Sequence, residues 1–217
     1  MVLQQNHKNP IWGWADVGEA INLSIAGQKH KTTADSKGNW KIILKPMKAS
    51  TDAKTLRINQ LKYENILIGE VWLCSGQSNM GWALGNSDDA DLEIMTANYP
   101  NLRLISVPQV GTQEAQINFN GRWETTTPEA AKNFSAVGYL FGRRLHLALG
   151  VPVGLIDNAW GGSACEAWIP RHRLNKLPVA KPYMEQWREI ESTFDYEKLL
   201  ASYQAKLKNW QEKAQTA

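Results

Sequence analysis

The chain has 217 residues, with 24 basic against 21 acidic side chains, a net charge of +3 and 43% hydrophobic residues. That composition is of the soluble globular class, with room for one sizeable core or a small domain plus part of another. The basic surplus is small and dispersed, and no apolar run approaches the roughly 18 residues a membrane-spanning helix needs, so neither nucleic acid nor a membrane is expected as a partner.

The N-terminal third alternates with a period of two. Ile21, Leu23 and Ile25 stand between polar neighbours, Trp40, Ile42 and Leu44 do so after the turn residues 35–39, and Leu56 and Ile58 continue the pattern. Such alternation predicts half-buried strands, read here as a β-sandwich segment. Trp12 and Trp14 open this region. Packing in the sandwich core or between domains is the expectation for them, ahead of stacking on a sugar ring.

Residues 66–73 form a β-branched and aliphatic run, the pattern of a strand covered on both faces in a parallel sheet, and Ser75 and Gly76 end it. Ser78 follows in Gly76-Gln77-Ser78-Asn79-Met80. Beyond the carboxyl end of a strand a serine hydroxyl can project into the crevice where open α/β sheets bind ligands, and there it needs a base and oxyanion donors to act as a nucleophile. A helix N-cap is the plain alternative, since serine is a preferred cap.

From residue 66 onward strands and helices alternate, which is the α/β pattern. Leu102, Leu104, Ile105 and Val107 predict a strand. Val137, Leu140, Phe141, Leu145, Ala148 and Leu149 fall on one face of a helix capped by Ser135 and stopped at Gly150. Residues 151–156 predict another buried strand, followed by Gly161 and Gly162. Paired glycines serve either an ordinary left-handed turn or a close approach of backbone to ligand. Leu200, Tyr203, Leu207 and Trp210 recur at helical spacing and predict an amphipathic helix over 196–214.

Cys74 and Cys165 each stand close to one of the two glycine-containing segments and are expected as buried free thiols. A disulfide between them needs a short Cα separation that spacing alone does not establish, and neither has a histidine or basic neighbour in sequence to activate it as a nucleophile. The histidines are His7, His30, His146 and His172. None is assigned as a base. His172 follows the second glycine segment, but Arg171 and Arg173 beside it disfavour the imidazolium that a general base must become.

The stretch from Gly69 to Met80 resembles the nucleophile block of the sialate O-acetylesterase family, a carbohydrate-esterase branch of the SGNH hydrolases. The stretch from Gly154 to Trp168 resembles the family's second block, and residues 9–15 with Val17-Gly18-Glu19 its N-terminal opening. The resemblance implies an α/β fold, an SGNH-like three-layer parallel sheet preceded by part of a β-sandwich domain. It divides the chain into a sandwich segment at 1–65 and the start of an esterase domain at 66–217 that ends in a helical insertion. It further implies Ser78 as catalytic nucleophile, Gly162 as an oxyanion donor with Gly161 the near alternative, Gln77 and Asn79 as flanking oxyanion or substrate-binding residues, and neither metal nor cofactor.

The family's later Gln-Gly-Glu and Asp-x-x-His blocks do not occur among these residues. The chain is therefore expected to work with a C-terminal part of the same protein or with a second chain, on an O-acetylated sugar, in a periplasmic, extracellular or lysosomal setting. A carbohydrate-binding module and an inactive interaction fragment are the competing expectations.

Overall fold

The computed structural model describes residues 1–112 and 114–215. The period-two segments are strands: β1 (Val2–Gln4), β2 (Asn9–Trp14), β3 (Ala20–Ile25), β4 (Gln28–Thr33), β5 (Asn39–Leu44), β6 (Ser50–Ile58) and β7 (Leu61–Gly76). Their alternating apolar residues converge. Ile21, Leu23 and Ile25 of β3, Trp40, Ile42 and Leu44 of β5, Leu56 and Ile58 of β6, and Ile66 and Ile68 of β7 form one buried cluster. Each such side chain contributes roughly 1.5–3 kcal/mol by leaving water.

The remaining strands are β8 (Tyr99–Ser106), β9 (Glu124–Thr126) and β10 (Val153–Ala159). An eight-stranded sheet runs in the order β4-β3-β6-β7-β10-β8-β9, with β1 alongside β7, while β2 and β5 form a separate two-stranded sheet. The α/β class is as expected, but the sheet is mixed rather than only parallel. The 16-residue β7 explains why: its first half pairs antiparallel with β6 and its second half pairs parallel with β10. Most of the strands assigned to a sandwich thus continue the main sheet through one uninterrupted strand.

The second half of β7 departs from the expected two-sided burial. Residues 66–69 are buried, but Trp72 is 43% and Leu73 61% exposed. Trp72 touches Phe141 edge-on at 5.1 Å, whereas Leu73 points to the opposite face, because successive side chains on a strand alternate.

Three helices follow in the same region: α1 (Ala90–Met95), α2 (Pro128–Lys132) and α3 (Ala136–Leu149). The caps of α3 are those the sequence predicts: the Ser135 side chain accepts from the Gly138 N–H, and Gly150 closes the helix in the left-handed conformation. Its buried face is different. Ala136, Gly138, Tyr139 and Gly142 face inward, while Val137, Leu140, Phe141 and Leu149 are exposed. The reason is close approach: a Cβ on Gly142 would lie 2.5 Å from Leu155 Cδ1, and one on Gly138 2.9 Å from Cys74 Sγ. The small residues let the helix axis sit near the sheet, and the larger apolar side chains are left outside.

The chain divides into two compact units, Met1–Ser163 and Ala164–Ala217. The second contains α4 (Arg171–Leu174), α5 (Lys181–Thr193) and α6 (Tyr196–Gln215), with Leu174, Ala180 and Met184 as its buried cluster. Helix α6 covers the expected span, but Tyr203 and Trp210 of its apolar stripe are exposed. Among the described residues no helix is long and apolar enough to cross a membrane.

Candidate active site

Strands β7 and β10 are parallel neighbours, with Asp157 opposite Cys74 and Ala159 opposite Gly76. Both end at the same edge of the sheet, so the segments that follow them emerge side by side. The Trp160 N–H donates to the Gly76 carbonyl at 2.9 Å, extending the pairing one bond beyond the strands.

After β7 the chain makes a single helical turn. The Gly81 N–H donates to the Gln77 carbonyl at 2.8 Å, and Ser78 and Asn79 sit exposed on that turn. After β10 the chain turns tightly at Trp160, Gly161, Gly162 and Ser163, where the Ser163 N–H donates to the Trp160 carbonyl at 3.3 Å and its hydroxyl donates to the same oxygen at 2.6 Å. Gly162 lies at φ +77°, as the third residue of a type II turn requires.

The two turns meet. A Cβ on Gly161 would stand 3.5 Å from both Cα and Oγ of Ser78, so the glycine leaves open the space beside the hydroxyl. The Gln77 side chain donates to the Ser163 carbonyl at 2.9 Å, which ties one turn to the other. Gln109, from the segment after β8, donates to the Ala159 carbonyl at 3.1 Å and braces the end of β10. Ser78, Gln77, Gly161 and Gly162 are thus gathered at one open edge of the sheet, and Asn79 stands beside them, exposed on the same turn.

Ser78 caps no helix in this structure. It precedes only the isolated turn, and the next helical element, a 3₁₀ turn at Leu84–Asn86, has Ala83 as its N-cap residue.

Two buried groups lie behind the turns. Burial raises the pKa of the Asp157 carboxyl against the lowering effect of the backbone N–H groups of Ala159 and Ser135, and among the described residues its Oδ1 is buried without a hydrogen-bond partner. Sequence reasoning did not single it out, although an acidic residue inside an apolar strand was the available signal. Cys74, in register with it, has its thiol pushed up to about 11, first by burial and then by the Asp157 charge. A thiol so raised stays protonated at neutral pH and is a poor nucleophile. Cys165 is exposed rather than buried, and both cysteines are free.

The histidines of the first unit do not complete the site. His146 is held by the Val151 carbonyl at 2.6 Å, before the start of β10 and so at the opposite end of that strand from Gly161. His30 pairs with Gln28 on β4, His7 is exposed between β1 and β2, and His172 is exposed in α4 of the second unit. Among the described residues of the first unit no histidine hydrogen-bonds to Ser78, and among the described residues no cluster of three or more His, Cys, Asp or Glu side chains is placed to hold a metal. What the edge offers chemically is an exposed hydroxyl beside a turn with unhindered backbone.

No protein-family model matches the chain. Curated relatives do. The chain is 33% identical over 204 residues to the sialate O-acetylesterase of Homo sapiens, covering 83% of this chain and 39% of that protein. It is 33% identical over 203 residues to that of Rattus norvegicus, covering 82% and 37%. The fold of a carbohydrate acetylesterase from Xanthomonas citri matches with a TM-score of 0.76 at 35% identity, over 80% of this chain and 41% of that one. The chain spans about two fifths of the length of the relatives it matches.

Proposed function

We propose that this chain, similar in sequence to sialate O-acetylesterases and in fold to a carbohydrate acetylesterase, carries the nucleophile and oxyanion segments of a serine esterase that removes O-acetyl groups from carbohydrates. The observation that supports this reading above others is the juxtaposition of Ser78 with Gly161 at the paired ends of β7 and β10.

In this reading Ser78 Oγ attacks the acetyl carbonyl carbon as a base takes its proton. The backbone N–H groups of Ser78 and of Gly162, or of the adjacent Gly161, receive the oxyanion. The C–O bond to the sugar breaks, the sugar oxygen takes up the proton, and an acetyl-serine remains. Water, deprotonated by the same base, then attacks that ester and releases acetate, and Ser78 regains its hydrogen. Gln77 positions the nucleophile turn through its bond to Ser163.

Among the described residues of the first unit no histidine hydrogen-bonds to Ser78, and in this reading the base is supplied by a further part of the same polypeptide or by a second chain. Sialic acid and related acetylated sugars are the substrate class, in a periplasmic, extracellular or lysosomal setting. The test is acetate release from an O-acetylated sugar by the complete gene product and by its Ser78→Ala variant. Loss of release in the variant supports the reading, and unchanged release refutes it.

A further inference from the structure

On the two-stranded sheet, β2 and β5 pair antiparallel with Gly13 opposite Trp40, Trp12 opposite Lys41 and Trp14 opposite Asn39. Gly13 and Trp40 face inward. A Cβ on Gly13 would lie 2.9 Å from the Trp40 ring, and Trp40 is only 8% exposed. Alternation therefore sends Trp12 and Trp14 to the outer face, where they are 45% and 53% exposed. The core packing expected of Trp12 and Trp14 is not what their exposure shows, and it is Trp40 that faces inward.

Their rings meet edge to face, with centroids 5.4 Å apart at 88°, and so form a right-angled corner. The corner opens on a cleft of about 290 Å³ that Asp35, Asn39 and Lys41 also line. Asp35 Oδ1 accepts from the backbone N–H groups of Lys37 and Asn39, and no hydrogen bond to Oδ2 is found among the described residues. Aromatic faces flanked by an amide, an ammonium and a carboxylate suit a ligand with one face of C–H groups and a rim of hydroxyls. A pyranose ring has that character. The electron-rich indole face attracts the polarised C–H groups, and the polar side chains satisfy the rim.

A second observation links this cleft to the candidate active site. The segment between β8 and β9 holds the Ala159 carbonyl through Gln109, passes Gly111 beside the Trp160 ring, and contributes Ile117 to the wall of the tryptophan cleft. The eight Cα-to-Cα steps from Gln109 to Ile117 span at most about 29 Å. An oligosaccharide of several residues reaches across such a distance.

We propose that the cleft of Trp12, Trp14, Asn39 and Lys41 is an ancillary binding subsite for a glycan, holding sugar rings remote from the one whose acetyl group meets Ser78. For its ligand class this inference rests on the carbohydrate reading above.

The test is titration calorimetry of the full chain with non-acetylated probes: hexamers of β-1,4-linked glucose and of β-1,4-linked xylose, and 3′-sialyllactose. At least one probe binds saturably, Trp12→Ala and Trp14→Ala each weaken it at least tenfold, and Ser78→Ala leaves it within twofold. Trp14→Phe, which keeps a ring, retains most of the binding, and thermal unfolding of each variant separates lost stacking from lost fold. Absence of saturable binding to all probes, binding indifferent to both tryptophan substitutions, or binding lost in Ser78→Ala overturns the proposal. Acetate release by the complete gene product from the acetylated form of the same probe is scored separately. If release depends on Ser78 while binding ignores the tryptophans, only the subsite falls. If tryptophan-dependent binding persists without Ser78-dependent release, only the esterase reading falls.

Discussion

Gly161 stands against Ser78 so closely that a methyl group on the glycine would touch the serine hydroxyl at 3.5 Å, although the two residues are 83 positions apart in the chain. The contact is made by strand pairing, through the register of β7 with β10, rather than by any side-chain bond between them.

That geometry separates the two glycines. In Gly161→Ala the new methyl group meets only ordinary contact distances, so thermal stability stays within about 0.5 kcal/mol while acetate release by the complete protein falls. In Gly162→Ala the left-handed φ of +77° is forced on a residue with a Cβ, which costs about 1–2 kcal/mol. Urea unfolding of the pair checks this, and equal losses in both would contradict the turn geometry.

Ser78→Ala is expected to lower the rate of acetate release from an acetylated sugar by at least about a thousandfold. Because Ser78 is exposed and makes no cap, its removal should leave stability within about 0.5 kcal/mol. Kinetics and a melting curve on one preparation test both halves.

The two thiols should react differently. At pH 7–8 exposed Cys165 reacts promptly with a disulfide reagent, whereas Cys74, buried and with its pKa raised to about 11, reacts only after unfolding. The same shift has a pH consequence. The folded state holds the Cys74 proton more tightly than the unfolded state, whose thiol titrates near 9.0. The stability this confers is complete below about pH 9 and is lost as the pH rises from about 9 to about 11. Comparing the alkaline stability slope of the wild type with that of Cys74→Ala isolates the contribution, and identical slopes would argue against it.

Gly142→Ala improves helix propensity by about 1 kcal/mol but drives a methyl group to 2.5 Å from Leu155 Cδ1 in a fully buried contact. Overpacking of this kind costs about 1–3 kcal/mol, so a net loss of about 1 kcal/mol is expected in denaturant titration. A gain in stability would mean that α3 moves off the sheet without penalty.

Much of this was legible in the residues themselves. The alternation in β3, β5 and β6, the Ser135 and Gly150 caps of α3 and the spacing of α6 are short-range signals, each decided by dihedral preference, capping or the period of one element. The two motif segments were likewise recognisable as they stand, and so was the shortage of a histidine beside them.

Other features depended on neighbours far along the chain. Whether Val137 or Gly138 faces the sheet cannot be told from helical periodicity, because the choice was made by how closely Cys74 and Leu155 allow the helix to approach. The β2–β5 pairing turned Trp12 and Trp14 outward and Trp40 inward. The uneven covering of β7 left Leu73 in water, and the depth of β10 buried Asp157 Oδ1. Local sequence determined which segments become strands, helices and turns in this protein. Only the tertiary structure decided which faces are covered and that Ser78 and Gly161 meet, because burial and register are properties of pairs of segments rather than of any one segment.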